Sequence, residues 1–283
     1  MTYTFRGLRS IDNTQIINLL DQSPETNLYA RDLLDRQGID LLGLHRWTGA
    51  FENDQLVAVN LDVACIPNQP CKLSVPMGRA DACEGLGRLT LERGGCERIM
   101  AERGPADAFW MGLRQPTPSI NHAQDVMYIK ERSEGERLNI RPATPEMFPI
   151  LFESTALMRL EEEGIDPRVQ DPELWLQTIQ ILIARRLIWV AFDKGELCFV
   201  IEIGTRCERG AQIGSTYVPP NKRGQSMATR GMRAIVNQLL TTSKCVTLLV
   251  KEDNEPARKC YERVGFQYGD PYRLYSFQEI KET

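Results

Sequence analysis

The chain has 283 residues, 42% hydrophobic and 25% charged, with a formal net charge of −4. That is the composition of a globular protein of one large domain or two ordinary ones, and it gives no bulk electrostatic reason to expect nucleic acid as a partner. No apolar run approaches the ~18 residues of a membrane helix, and the N-terminus has no apolar core followed by a small-residue cleavage site.

The first half reads as follows. Thr2–Leu8 is a strand, Asn13–Leu20 and Tyr29–Gln37 are helices, and Arg46–Phe51 with Leu56–Cys65 form a hairpin about Glu52-Asn53-Asp54. Lys72–Met77 is a strand, Gly87–Glu102 a helix and Phe109–Leu113 a strand. Lys130–Arg137 is charged, carries one glycine and has no apolar anchor, as a linker would.

The second half is sharper. Leu138–Arg141 is a short strand, and Thr144-Pro145-Glu146 starts a helix that runs to about Glu163. Asp171-Pro172-Glu173 repeats the start signal, with Trp175, Leu176, Ile179, Leu182 and Ile183 on one face. Leu187–Phe192 and Leu197–Gly204 are strands joined by Asp193-Lys194-Gly195-Glu196. Ala211–Val218 is a strand, Met227–Leu240 an amphipathic helix and Cys245–Val250 a buried strand. Asn254-Glu255-Pro256 opens a helix that stops at Gly265, and Tyr268–Phe277 closes the chain with one or two strands.

The order β-α-α-β-β-β-α-β-α-β in the second half is blurred but present in the first. The expectation is an α/β (α+β) protein with two tandem copies of one fold, residues 1–130 and 138–283, joined at 131–137.

The eight cysteines are scattered with no C-x-x-C pair, so a zinc site is unsupported and a reducing cytoplasm is the expected setting. Neither His45 nor His122 has Cys or Asp spacing around it that would suggest a metal or a triad.

Pro219-Pro-Asn-Lys-Arg-Gly-Gln-Ser-Met-Ala228 lies between a strand and a helix. A turn entering a helix leaves backbone N–H groups without partners, and the helix dipole adds positive charge there. Small residues (Gly224, Ser226, Ala228) let an anion approach, and Arg223 with Lys222 can add side-chain charge. Such a turn suits a pyrophosphate. The alternative is an ordinary strand-to-helix turn with two exposed bases.

Arg223-x-x-Ser226-x-Ala228 resembles the R/Q-x-x-G-x-G/A signature of the GCN5-related N-acetyltransferase (GNAT) superfamily. Asn254-x-Pro256-Ala257-x-x-x-Tyr261-x-x-x-Gly265-Phe266, one strand later, resembles that family's second signature. The resemblance covers about Asn139–Phe277 and looks closest to a two-domain subgroup. One departure is that Ser226 stands where the first signature usually has glycine.

The resemblance implies acetyl-CoA as cofactor and transfer of acetyl to a small-molecule or peptide amine. It implies that Arg223, Gly224, Gln225, Ser226, Met227 and Ala228 hold the pyrophosphate. Tyr217 and Val218 would pair with the pantetheine arm, Asn254 would contact the cofactor further along, and Tyr261 would protonate the leaving thiolate. The amine needs a base, and the strand Ala211–Val218 has no carboxylate. Glu202, on the neighbouring strand, is the candidate, with solvent exposure as its alternative. Glu161 and Glu162, at a helix end that borders the substrate site in relatives, suit a cationic amine. Two other functions stay open: aminoacyl transfer from a charged tRNA, and a non-catalytic coenzyme-A sensor or scaffold. The first half lacks the signature, and Asp81 and Glu84 in its corresponding turn would repel phosphate, so it is expected to be a degenerate copy.

Overall fold

The computed structural model describes residues 2–39, 45–65, 69–114 and 117–278. The chain divides into two compact units: the first runs to Val126 and takes up the chain again from Gly269, and the second is Met127–Tyr268.

In the first unit β1 (Thr4–Gly7), α1 (Asn13–Leu20), α2 (Leu28–Gln37), β2 (His45–Glu52), β3 (Gln55–Val63) and β4 (Leu73–Gly78) follow the sequence expectation closely. The next stretch does not. Gly87–Glu102, expected as one helix, is the end of α3 (Ala80–Glu92), a turn, and β5 (Arg98–Glu102); Phe109–Leu113, expected as a strand, belongs to α4 (Arg103–Leu113). Gly94 and Gly95, at φ +105° and +80°, end α3 in a conformation a helix cannot continue. Phe109 and Leu113 are four apart, as helix neighbours on one face, and both are fully buried. α3 and α4 touch backbone to backbone: a Cβ on Gly87 would lie 2.2 Å from the Phe109 carbonyl oxygen, and one on Gly112 2.0 Å from that of Glu84.

After α4 comes β6 (Ile120–Ile129). The ladders β1–β2, β2–β3 and β3–β4 are antiparallel, and β4–β5 is parallel at Ser74↔Ile99. β5 then pairs antiparallel with a strand from the far end of the chain, Tyr272 opposite Glu102 through Ser276 opposite Arg98. One face of the sheet packs on α1 and α2 through Trp47, Val59, Leu61 and Met77; the other packs on α3 and α4 through Ala50, Ala58 and Ile99.

The second unit repeats the plan. Its elements are β7 (Arg141–Pro142), α5 (Phe148–Glu163), α6 (Pro167–Gln170), α7 (Pro172–Ala184), β8 (Ile188–Asp193), β9 (Glu196–Arg206), β10 (Ala211–Tyr217), α8 (Met227–Leu239), β11 (Val246–Lys251), α9 (Glu255–Val264) and the start of β12 (Gln267–Ser276). β7, β8, β9 and β10 pair antiparallel in that order, and β10 and β11 pair parallel. Two of the three predicted starts are capped: the Asp171 carboxylate accepts from the Leu174 amide at 3.0 Å, and the Asn254 side chain accepts from the Ala257 amide at 3.2 Å. Thr144, expected to cap the helix to Glu163, makes no capping bond; it precedes a 3-10 turn, Pro145–Met147, and α5 starts at Phe148. Val190, Val200 and Tyr217 pack against α5 and α7 on one face, and Phe199, Ile201 and Val250 against α8 and α9 on the other. Both units are therefore mixed, mostly antiparallel sheets flanked by helices. Among the described residues no helix is long and apolar enough to cross a membrane.

Candidate functional site

The site is built where β10 and β11 part. They pair at Ala211↔Val246 and Gln212↔Thr247, after which β10 bulges twice against β9, with Ser215 at φ +50°. A bulge re-aims the strand and leaves backbone groups unpaired, which is the geometry an extended ligand needs to add itself to a strand.

From the end of β10 the chain turns through Pro220–Lys222 into α8. Gly224 at φ +74° and Ser226 at φ +59° both take the left-handed conformation. A glycine does this at no steric cost; a serine pays about 1–2 kcal/mol. Ser226 is the N-cap of α8, yet its side chain makes no capping bond. Arg230 donates the first intrahelical bond, to the Ser226 carbonyl, so the amides of Met227, Ala228 and Thr229 point off the helix end. A Cβ on Gly224 would meet nothing within 4 Å, so the backbone is open to approach there. These features suit a diphosphate.

The side chains of the turn are committed differently from the sequence expectation. Lys222 turns away and pairs with Glu196 at 2.8 Å and Asp193 at 3.5 Å. Gln225 folds back, its side-chain amide donating to the Asn221 carbonyl at 3.1 Å. Arg223 lies over the Tyr217 ring, donates from Nε to the Val218 carbonyl at 2.9 Å, and meets the Glu161 carboxylate at 2.7 Å. Met227 and Tyr217 are buried; Val218 and Ala228 are half-buried against the same core as α8. The Asn254 side-chain oxygen is used by the cap of α9.

Tyr261, on α9, packs against the core to which β10 contributes Ala211 and Ile213, and burial raises its pKa well above the ordinary value. Tyr261 therefore stays protonated through the neutral range. Its ring sits 5.9 Å from that of Phe266.

Glu202 does not face solvent. It is 8% exposed, on the face of β9 under α5, and burial pushes its carboxyl pKa up. The Arg159 guanidinium, 3.3 Å from Oε2, holds one side of the carboxyl; its Oε1 is buried with no hydrogen-bond partner. Glu162 is half-buried at the last turn of α5, and burial outweighs the Arg159 and Lys251 charges to raise its pKa to about 7. The Lys251 ammonium, at the end of β11, donates to the Glu162 backbone carbonyl.

Glu202 lies under α5 beside Arg159, Glu162 stands in the last turn of that helix, and Glu161 joins the Pro219–Ala228 turn through Arg223. Sequence reading missed Arg159, Glu163, Ser215 and Lys251. Only Arg159 carried a local signal, standing three and four residues before Glu162 and Glu163 on a predicted helix.

Residues 154–266 match the family model described as acetyltransferase (GNAT) family. No functionally curated protein matches the sequence. Among solved structures, a GCN5-related N-acetyltransferase from Sphaerobacter thermophilus superposes with a TM-score of 0.61 at 16% identity, over 99% of this chain and 98% of that one. A GNAT-family acetyltransferase from Colwellia psychrerythraea gives 0.55 at 15%, over 97% and 100%. A tandem GNAT protein from the clavulanic acid biosynthesis pathway gives 0.52 at 13%, over 99% and 100%. Those likenesses concern the fold. With the family match, they make residues 154–266 an acyltransferase domain of the GNAT family, carried on a tandem GNAT fold.

Proposed function

We propose that the protein transfers an acetyl group from acetyl-CoA to a primary amine by direct attack. The observation that carries this reading is the juxtaposition at β10. The strand parts from β11 beside an open, amide-lined helix start, and Tyr261 packs against the core to which that strand contributes Ala211 and Ile213.

Acetyl-CoA would supply an acyl group already activated as a thioester. The amides at the start of α8 and the open backbone at Gly224 would receive its diphosphate, and Arg223 would pair with it once released from Glu161. β10 would hold the pantetheine arm by main-chain bonds. Tyr261, kept protonated by burial, would give its proton to the departing sulfur. The buried carboxyl of Glu202, with one oxygen unpartnered, would accept a hydrogen bond from the incoming amine.

The test is calorimetric titration with acetyl-CoA, followed by thiol release in the presence of primary amines. Binding and amine-dependent release are expected, and Arg223→Glu should abolish both. Binding without release across the amine panel would favour a coenzyme-A sensor. Binding of charged tRNA in place of acetyl-CoA would favour aminoacyl transfer.

A further inference from the structure

We propose that the second unit carries a binding site for a small organic polyanion, a phosphate ester or a polycarboxylate, in the cavity that Arg185, Arg186 and Arg206 surround. This site is independent of the acyltransferase reading and lies at the opposite end of β10 from the Pro219–Ala228 turn.

The cavity measures about 410 Å³ and is lined by residues of the second unit alone. Arg185 closes α7, Arg186 follows it, and Arg206 is the last residue of β9. Leu187, Trp189 and Ile203 give the cavity an apolar base that belongs to the core packed by α8, and Gln238 of α8 adds an amide. Arg206 stands opposite Ala211, where β10 starts, whereas the Pro219–Ala228 turn follows Tyr217, where it ends. β10 is seven residues long, so roughly 20 Å of strand lies between the two places.

Charge singles this cavity out. Three guanidinium groups line it, and no Asp or Glu does so among the described residues. The side chains of Arg185 and Arg186 have no hydrogen bond and no ion pair among the described residues. Arg206 donates from Nη2 to the neutral Thr242 hydroxyl at 3.2 Å. Elsewhere in the same unit Arg159, Arg168, Lys222 and Arg223 are each met by a carboxylate. Like charges gathered on one cavity repel, and a bound anion turns that repulsion into attraction. The helix dipole accounts for a cation at the end of α7, but not for Arg206, which closes a strand. Arg186 also holds a left-handed backbone at φ +57°, at the position after a helix where glycine is the ordinary residue. Its carbonyl accepts from the Trp189 indole at 3.2 Å, which fixes the turn at the cavity edge.

Size and charge choose the ligand. A guanidinium fork matches a carboxylate or a phosphate with two parallel N–H bonds, so three forks suit a ligand with two or three such groups. The apolar base takes a short carbon body. Nucleic acid is the poorer partner, because its phosphates would run past the cavity over a chain of net charge −4. A small anion feels only the local field, which is screened beyond ~8 Å at physiological salt.

The experiment titrates the full chain calorimetrically with citrate, fructose 1,6-bisphosphate and glucose at one fixed ionic strength. It uses the wild type, Arg186→Gly, Arg206→Gln and Arg223→Glu. In the wild type we expect at least one of the two anions to bind with a dissociation constant below about 1 mM, and glucose not to bind. Binding of citrate alone marks a polycarboxylate site, and binding of the bisphosphate alone a phosphate-ester site; either supports the inference. Arg186→Gly and Arg206→Gln should each weaken the anion by at least about tenfold. Glycine suits the left-handed position, so Arg186→Gly should melt no lower than the wild type, which separates lost binding from lost folding. Arg223→Glu should leave the affinity unchanged. Anion binding that survives either of the first two substitutions, or that is lost in Arg223→Glu, would overturn the inference. So would a wild type that binds neither anion, whether or not it binds a short single-stranded oligonucleotide.

Discussion

Arg223 presents a single nitrogen, Nη2, to both oxygens of Glu161, at 3.0 and 2.7 Å. The cation best placed to meet a diphosphate is thus held by a carboxylate that a diphosphate must displace. Both side chains are 47% exposed, so the pair is screened and worth about 1 kcal/mol at most. Glu161→Gln should therefore tighten acetyl-CoA binding by up to about fivefold with little change in melting temperature. Weaker binding in a calorimetric titration would mean that Glu161 positions Arg223 and does not compete for it.

Ser226 gives a second prediction. Its left-handed backbone costs about 1–2 kcal/mol, and replacing it by glycine returns that while losing about 0.5–1 kcal/mol to the flexibility of the unfolded chain. No capping bond is lost. Ser226→Gly should be stabilising by about 1 kcal/mol, a rise of about 2–4 °C in Tm, and should keep or improve acetyl-CoA affinity. A fall in Tm would show that serine is favoured there for a reason other than size.

Tyr261→Phe should lower kcat by about 100-fold and leave the acetyl-CoA dissociation constant unchanged. Burial holds the phenol above its ordinary pKa, so no alkaline limb from this group should appear below pH 10 in the wild type. A mutant that retains full kcat would leave Tyr261 only its packing role beside Phe266.

Glu162 makes a prediction about stability that is independent of turnover. Its carboxyl titrates near 7 in the folded protein against 4.5 as the reference value, so the folded state holds the proton more tightly. Stability is then full below pH 4.5 and is lost as pH rises through 7. Half-exposure trims the effect to about 1 kcal/mol. Glu162→Gln should thus melt higher than wild type at pH 8 and alike at pH 4.5. Equal melting temperatures at both would show that the carboxyl is not perturbed.

In the first unit Gly112→Ala should cost about 1–3 kcal/mol, read by urea unfolding, because its Cβ would lie 2.0 Å from the Glu84 carbonyl oxygen and force α3 and α4 apart. Gly104→Ala, in the same helix, would meet only the Ala80 Cβ at 3.8 Å and should be neutral or stabilising.

Sequence reading succeeded where local chemistry decides structure. Asp171-Pro172 and Asn254-x-Pro256 start helices by bonds within four residues, and Asp193-Lys194-Gly195-Glu196 closes its hairpin by a turn. It failed at Phe109–Leu113, where a short apolar run has no period of its own and the helix is selected by close packing on Gly87. The Pro219–Ala228 turn was legible as a motif, but not the direction of its side chains: Lys222 and Arg223 are adjacent cations, and their partners, Glu196 and Glu161, are brought to them only by the fold. The Arg159–Glu202 pair, 43 residues apart, has the same cause.

The strand that closes the first unit's sheet beside β5 is Tyr272–Ser276, made after the whole of the second unit. During synthesis the first unit must therefore wait on the ribosome with the edge of β5 uncovered while some 140 residues of the second unit emerge and fold. An open strand edge is a template for wrong pairing. Cutting the gene at the charged segment Lys130–Arg137 would make that waiting state permanent, so the amino-terminal half on its own should aggregate, and adding a peptide covering Gly269–Ser276 in trans should rescue its solubility.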